Sequence, residues 1–249
     1  DSIQFCRYIK FFENMNCIVL LEIEEPLMTL MQSLLPKDRI FAKGDKLPDF
    51  DFHSPLMSLP FAFETNIENI PYSMPYLKPN ADRTNRWVNK IKKRHKPVVG
   101  IAWRGNPDHV SDKSRSMDLA EIISFLSTDF DWISLEKYPT PEETKILQST
   151  CHVRHFGNQI GDFSETAALC QSLDAVLSVD TSAAHLASSV GTETHLLLRK
   201  CADWRWLQGR EDTPWYNAIT IHRKLEKESW PIILRAAQTS IAATLKTCA

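Results

Sequence analysis

Several features that mark common classes of protein are missing from this sequence. Only 7 of its 249 residues are glycine, and neither G-x-x-x-x-G-K-[ST] nor G-x-G-x-x-G, the glycine-rich phosphate-binding patterns, occurs. The G-x-S-x-G and H-E-x-x-H patterns are absent as well. No apolar run approaches the roughly 18 residues that a transmembrane helix needs. The enzyme classes that depend on these motifs, and a membrane-spanning protein, therefore lose their support.

Cysteine is sparse and the charge is balanced. The six cysteines form no C-x-x-C pair, and several lie in apolar segments, as reduced core cysteines do. We therefore expect a reducing, cytoplasmic location. Cys151 stands near His152 and His155, but no second ligand pair follows at a useful spacing, so no metal is expected. The net charge of −2 at pH 7 predicts no attraction to nucleic acid or to an anionic membrane.

The first part of the chain, residues 1–79, alternates short helical and extended patterns up to a proline-rich stretch that marks a boundary. Its patterns predict a helix Ser2–Asn14, a strand Cys17–Glu22, a helix Pro26–Leu35, strands Arg39–Ala42 and Asp51–His53, and a short helix ending at Phe61. The chain opens without methionine, directly on a helical pattern. We therefore expect it to be a piece of a longer protein.

The second part, residues 80–227, has a more regular alternation. It predicts helices Ala81–Arg94, Leu119–Leu126, Pro141–Gln148 and Phe163–Ser172, and strands Val98–Ala102, Trp132–Leu135, Val153–Phe156, Ala175–Val179 and His195–Leu198. Such alternation is typical of a parallel sheet with helices on both faces, in which ligands bind beyond the carboxyl ends of the strands. Residues 228–249 are expected to form a last helix, Glu228–Leu245, that packs back across the two lobes.

One strand-to-helix junction is the most informative segment. The apolar run Ala175–Val179 ends in Asp180, Thr181 and Ser182, which are favoured helix N-cap residues, and a small-residue helix follows. The unpaired N–H groups and the dipole at such a helix start bind phosphate and other anions. The alternative is an ordinary capped helix in an α/β domain.

Three further loops follow predicted strands and carry polar groups. After the predicted strand Val98–Ala102 come Arg104 and Arg115, whose guanidinium groups suit a diphosphate. Gly105 allows a tight turn between them. Solvated surface charge is the alternative for both arginines. Glu136 suits ribose hydroxyls or belongs to an exposed turn, and Phe163 either faces a base or packs as a staple beside a capping Asp162.

Taken in order, these motifs resemble the ADP-heptose:lipopolysaccharide heptosyltransferase-like glycosyltransferases, in particular the branch found at the C-terminus of bacterial tetratricopeptide-repeat proteins. The resemblance covers nearly the whole chain. It rests on Asp1–Tyr8, Ser54–Pro60, Val99–Asn106, Arg115–Ser116, Asp162–Thr166, Val179–Leu186, Asp203–Leu207 and Pro214–Tyr216.

The resemblance implies an α/β fold of the GT-B type, with two Rossmann-like lobes whose parallel sheets face a central cleft. Residues 1–79 would form an acceptor-side lobe truncated at its N-terminus, because the family's first strand and glycine turn are missing before Asp1. Residues 80–227 would bind a nucleotide-sugar donor, which acts as a co-substrate, with no metal or other cofactor. Upstream tetratricopeptide repeats are expected in the parent chain.

The resemblance also implies roles for individual residues. Asp1 stands where the family has its proposed catalytic base. Thr181, Ser182 and Ala183 would offer amides to the diphosphate, and Asp180 and His185 would orient the loop or touch the sugar. The other residues expected in donor binding are Trp103, Arg104, Gly105, Asn106, Arg115, Ser116, Glu136, Asp162, Phe163 and Thr166. The sequence departs from the family pattern after Gly191 and at Arg199–Cys201, where prolines are usual.

The sequence therefore supports one main hypothesis and two alternatives. The main hypothesis is a metal-independent, inverting glycosyltransferase that moves a sugar from a nucleotide diphosphate to a hydroxyl of a glycan, a lipid-linked glycan or a protein. The first alternative is a non-catalytic nucleotide- or sugar-binding module on a repeat scaffold. The second is a sugar epimerase of the same fold, which would need no acceptor.

Overall fold

Two parallel sheets organise the chain, as the alternating patterns predict. The structure, a computed structural model, describes residues 1–12, 15–71, 75–91, 96–106 and 112–247, with the backbone alone at 113, 114 and 247. The first sheet pairs β1 (Leu21–Ile23) with β2 (Ile40–Ala42). The second contains β3 (Val98–Ala102), β4 (Asp131–Ser134), β5 (Val153–His155), β6 (Ala175–Val179), β7 (Thr194–Arg199) and β8 (Ile219–Lys224).

The strand order of the larger sheet is β5-β4-β3-β6-β7-β8, and all neighbouring pairs are parallel. The chain therefore moves outwards from β3 to β5, returns to β6 beside β3, and continues outwards on the other side. The connections after β3 and β6 leave in opposite directions, which opens a crevice at this topological switch point. The α/β class and the parallel sheet are confirmed.

Helices cover both faces of this sheet. The helices of residues 80–247 are α5 (Ala81–Ile91), α6 (Asp112–Arg115), α7 (Leu119–Ile123), α8 (Pro141–Ser149), α9 (Phe163–Gln171), α10 (Ser182–Ser189) and α11 (Trp230–Thr247). Most begin and end within a few residues of the predicted bounds. The last positions of the predicted helix Ala81–Arg94 lie outside the described residues.

Residues 1–79 have shorter elements than predicted. The predicted helix Ser2–Asn14 consists, over its described residues, of α1 (Ser2–Phe5), a 3₁₀ turn (Cys6–Tyr8) and α2 (Ile9–Phe12). The predicted helix Pro26–Leu35 is a 3₁₀ turn (Glu25–Leu27) and α3 (Met28–Met31), and α4 spans Leu59–Ala62. The predicted strand Asp51–His53 is wrong. Those residues form no strand, and the Phe52 side chain is 93% exposed instead of filling a sheet face.

The core has two parts, one on each face of the larger sheet. Along β6, Val176 packs into one cluster, whereas Leu177 and Val179 pack into the other, because side chains alternate across a strand. The first cluster is continuous with the buried residues of 1–79, so that part of the chain packs directly on α9 and α10. The second cluster holds α11, which packs against β7 and β8.

The larger sheet therefore supplies the common framework for all three predicted parts. The division into 1–79, 80–227 and 228–249, and the reach of α11 across both lobes, stay predictions. Among the described residues, no helix has both the length and the apolar character needed to cross a membrane.

A stacked pair of histidines on β7 and β8 makes this sheet sensitive to acid. His195 Nδ1 lies 2.9 Å from His222 Nε2, and the two rings stack with centroids 5.2 Å apart. Burial, reinforced by His195, lowers the pKa of His222 to about 4. An unfolded histidine titrates near pH 6.5. Between pH 6.5 and pH 4 the unfolded state therefore binds more protons than the folded state, and the free energy of unfolding decreases as the pH is lowered.

Replacing His222→Gln should reduce this acid sensitivity. We expect the free energy of unfolding to depend less steeply on pH between about 6.5 and 4, by at most ~1.4 kcal/mol per pH unit, which is the limit for one titrating site. Urea titrations at four or five pH values measure the slope. His53→Gln, at an exposed position, is the matched control. An unchanged slope in His222→Gln would contradict the assignment.

Candidate functional site

The switch point of the sheet is lined by the loop after β3 and the start of α10. Arg115 Nη1 donates a 2.8 Å hydrogen bond to the Asp180 carbonyl, which ties these two segments together. Gly105 lies directly against the Arg115 guanidinium, so a side chain at this position would require the arginine to shift. Ser116 Oγ accepts from the Gly105 amide at 3.0 Å and donates to Asp112. These hydrogen bonds hold the described part of the loop in a fixed arrangement, and residues 107–111 lie outside the described residues.

The leading turn of α10 is open. Thr181, the N-cap residue, is extended, and its side chain makes no capping hydrogen bond with the described residues. Ser182 is exposed, and the Ala184 amide bonds the Thr181 carbonyl. By contrast, side chains cap α7, α8 and α9, namely Asp118, Thr140 and Asp162. The predicted junction of strand and helix is confirmed. Anion binding at this helix start and the alternative, an ordinary capped helix in an α/β domain, both stay predictions.

A neutral histidine and a carboxyl group lie under this turn. His185 Nε2 lies 4.0 Å from Asp180 Oδ1, and the His185 ring stacks on Trp206 with centroids 5.1 Å apart. Burial, helped by the charge of Arg205, holds the pKa of His185 well below its usual range. Burial also raises the pKa of Asp180, although the Trp206 indole and Arg205 oppose this effect. The imidazole is therefore uncharged at neutral pH.

Asp1 is brought to the same place by α1, which packs on α10. Its Oδ1 accepts a 2.8 Å hydrogen bond from Arg205 Nη2, while Arg205 Nη1 lies 3.2 Å from Asp203 Oδ1. Half of the Asp1 side chain is exposed, whereas Arg205 is buried and its Nε has no hydrogen-bond partner among the described residues. A carboxylate and a guanidinium group thus lie beside the open turn.

The sequence analysis named residues 203–207 only as part of the resemblance and gave Arg205 no role. The signal was available: the arginine follows β7, at the same edge of the sheet as the start of α10.

Arg104 is placed differently from Arg115. Its Nε donates to both carboxylate oxygens of Glu143 at 3.1 and 3.2 Å, and its Nη2 lies 3.3 Å from Glu136 and bonds the Tyr138 carbonyl. Burial raises the pKa of Glu136, and Arg104 opposes this. Trp103 is buried and donates to Glu143 Oε1 at 2.6 Å. The carboxylates of Glu136 and Glu143 therefore neutralise the charge of Arg104. Donor binding by Trp103, Arg104 and Glu136 stays a prediction.

The residues expected around the start of α9 form a capping arrangement. Asp162 Oδ1 accepts from the Glu165 amide at 2.9 Å and from Arg83 Nη1 at 2.8 Å. Thr166 Oγ1 bonds the Asp162 carbonyl, and Phe163 is partly buried against the main core cluster, as a staple residue would be. This set follows the edge strand β5, two strands away from β3. Its part in donor binding stays a prediction, as does that of exposed Asn106.

No group of three or more His, Cys, Asp or Glu side chains in the described parts of the chain is arranged to hold a metal ion. Cys6 and Cys170 are buried free thiols, and burial raises the pKa of each to about 12.

Two solved structures are similar to part of this chain. The chain is similar to ADP-heptose lps heptosyltransferase II of E. coli, with 10% identity, a TM-score of 0.49, and coverage of 71% of this chain and 57% of the other. It is also similar to a glycosyl transferase family 9 protein of Veillonella parvula DSM 2008, with 9% identity, a TM-score of 0.47, and coverage of 67% and 53%. The chain thus spans little more than half the length of either, and a likeness this distant carries no argument about activity.

Comparisons of sequence gave no relative: no family model matches the chain, and no curated protein matches it. The function must therefore be argued from the site itself.

The Glu143 contacts predict a large structural effect of one substitution. Glu143→Ala removes the partner of Trp103 and one of the two carboxylate partners of Arg104, and it breaks the capping box with Thr140. We expect a loss of about 2 kcal/mol or more in the free energy of unfolding, measured by urea titration. Glu142→Ala, at the exposed neighbouring position, should change it by less than about 0.5 kcal/mol. Equal effects of the two variants would contradict the geometry.

Proposed function

We propose that this chain is the donor-binding and reacting part of a glycosyltransferase that moves a sugar from a nucleotide diphosphate to a hydroxyl acceptor with inversion. The observation that carries the proposal is the open leading turn of α10 at the switch point, with Arg115, Arg205 and the Asp1 carboxylate around it. The resemblance of the ordered motifs to heptosyltransferase-like enzymes supports the same assignment.

The diphosphate would lie against the amides of Ser182 and Ala183. An anion gains there from unpaired N–H groups and from the helix dipole. The countercharge would come from Arg205, whose buried Nε has no partner, and from Arg115. Because fixed amides and guanidinium groups supply this charge, the leaving nucleoside diphosphate would need no metal ion.

Asp1 would act as the base. Its half-exposed carboxylate would take the proton of the acceptor hydroxyl while that oxygen attacks the anomeric carbon, and the bond from that carbon to the diphosphate would break. Arg205 ties Asp1 Oδ1 to the edge of the donor site, so one guanidinium would hold the base and neutralise the leaving group. The acceptor would be a hydroxyl of a glycan, a lipid-linked glycan or a protein.

The second candidate is a module that binds the nucleotide-sugar without turnover, in a cytoplasmic parent chain with tetratricopeptide repeats. The ion pair between Asp1 and Arg205 favours it, because an oxygen engaged in a charged hydrogen bond is less available as a base. Binding experiments test both candidates, whereas turnover separates them.

A charge placed at the start of α10 should affect binding and stability in opposite directions. Ser182→Asp adds a carboxylate that favours the helix dipole by about 0.3–1 kcal/mol but repels a diphosphate. We expect its affinity for ADP- or UDP-sugars, measured by isothermal titration, to fall at least about tenfold, which corresponds to roughly 1.4 kcal/mol. Ser182→Ala is the control and should bind nearly as the unaltered chain does. Equal affinity in Ser182→Asp, or no binding by the unaltered chain, would contradict the donor site.

Replacing the proposed base should separate binding from reaction. Asp1→Asn keeps the shape of the side chain and its contact with Arg205 but removes its basicity. We expect turnover to fall by about 10²-fold or more, as for the loss of a general base, with nucleotide-sugar affinity changed less than about threefold. Release of nucleoside diphosphate in the presence of acceptor measures turnover. Retained turnover would remove Asp1 from the mechanism. Binding without turnover in the unaltered chain would favour the second candidate.

A further inference from the structure

A cavity of about 290 Å³ lies at the carboxyl ends of β7 and β8 and has no part in the mechanism above. It forms at the segment where the sequence departs from the family pattern. Its walls include Arg199, Lys200, Cys201, Lys224, Glu226 and Trp230. We propose that this cavity is a second anion site, which binds a small ligand that carries a phosphate or carboxylate group.

The cavity lies on the opposite face of the larger sheet from α10. Leu196 and Leu198 of β7 pack into the core cluster that contains residues of α10, whereas Leu197 packs into the cluster that holds α11. Because side chains alternate along a strand, Arg199 lies on the same face as Leu197. Trp230, the first residue of α11, is partly buried against that second cluster. The site is therefore separate from the donor site and does not rest on the proposed function.

Two cations lie side by side at the end of the β7–β8 ladder. Arg199 of β7 is the register partner of Lys224 of β8, and both side chains line the cavity. Like charges at directly paired strand positions repel each other. Natural sequences break such a local rule mainly where a site requires it. An anion bound between the two side chains would remove the repulsion.

The carboxylate in the cavity wall does not cancel this charge. Glu226 Oε1 pairs with Lys200 Nζ at 2.7 Å, and both side chains are more than half exposed, so the pair is weak and Lys200 can turn to a ligand. The ammonium of Lys224 has no carboxylate partner among the described residues and lies 5.9 Å from the centroid of the Trp230 ring. The dipole of α11, whose first turn contains no acidic residue, adds partial positive charge.

These walls suit an oxyanion attached to a small ring or chain. Ammonium and guanidinium groups bind phosphate and carboxylate oxygens through charge-assisted hydrogen bonds. The volume is close to the lower end of small-molecule pockets, roughly 300 Å³. The Trp230 indole gives the uncharged part of a ligand an apolar surface. A sugar phosphate has both features, whereas inorganic phosphate has the charge alone.

Titration of the ¹⁵N-labelled chain with inorganic phosphate and with glucose-6-phosphate tests the site. At an ionic strength held constant with chloride, we expect both to shift the amides of Cys201 and Leu225 saturably. Tighter binding of glucose-6-phosphate would indicate a phosphorylated sugar as the occupant, and equal affinity would indicate free phosphate; either supports the anion site. Shifts that do not saturate, or that occur only at Ser182 and Ala183, would overturn it.

Substitution of the cations tests the walls. Lys224→Gln should weaken phosphate binding at least about threefold, because it removes a charge next to the anion. Lys46→Gln, at an exposed position in the first part of the chain, makes the same change in net charge and is the control. Lys200→Gln is a second test variant that keeps the experiment decisive if the first fails to fold. Unchanged affinity in the test variants would contradict the site.

The exposed thiol of Cys201 reports the local charge without any ligand. Dithiobis(nitrobenzoate) carries two carboxylates, whereas dithiodipyridine is neutral at pH 7. The ratio of their rate constants should be at least about threefold higher at Cys201 than at the exposed Cys17, and added salt should reduce this difference. Mass spectrometry of the labelled peptides separates the two thiols. An equal or lower ratio at Cys201 would contradict an excess of positive charge in the cavity.

Discussion

The buried guanidinium of Arg7 is the contact on which the arrangement of the site depends. It joins the first helical segment to Trp215, 208 residues away in sequence, and to Tyr76 between them. A buried cation is costly unless its donors are satisfied, and here two carbonyls, a phenol and three aromatic faces satisfy it. The same contact fixes where α1 meets α10 and therefore where Asp1 lies. A change at Arg7 would therefore disturb the packing of α1 and the position of Asp1.

The arginines around the switch point of the sheet pair with carboxylates in different segments of the chain. Arg104 is balanced by Glu136 and Glu143 and holds the loop after β4 against the loop after β3. Arg115 and Arg205 instead lie at the start of α10. Arg115 contacts one carboxylate, that of Asp112, whereas Arg205 contacts two, those of Asp1 and Asp203. In the proposed donor site, both guanidinium groups would already be held in position when a diphosphate binds.

The larger sheet could be predicted from the sequence because its strands are continuous apolar runs. Ala175–Val179 is buried throughout and has the predicted bounds. The strand β8, Ile219–Lys224, was not predicted, because its alternation of apolar and polar residues covers only Ile219 to Ile221 before three polar residues follow. The predicted strand Asp51–His53 was wrong because the aromatic Phe52, which suggested a buried strand, is exposed.

The site itself was predictable only in part. The open turn at Ser182 followed from local sequence, whereas the partners of Arg7, Arg104 and Arg205 come from distant segments and have no local pattern.

The most direct measurement of the central claim is a titration of ¹⁵N-labelled chain with ADP and UDP, followed through the backbone amides. The account predicts that the largest shifts occur at Ser182 and Ala183. Saturable binding that leaves these two amides unmoved would contradict it.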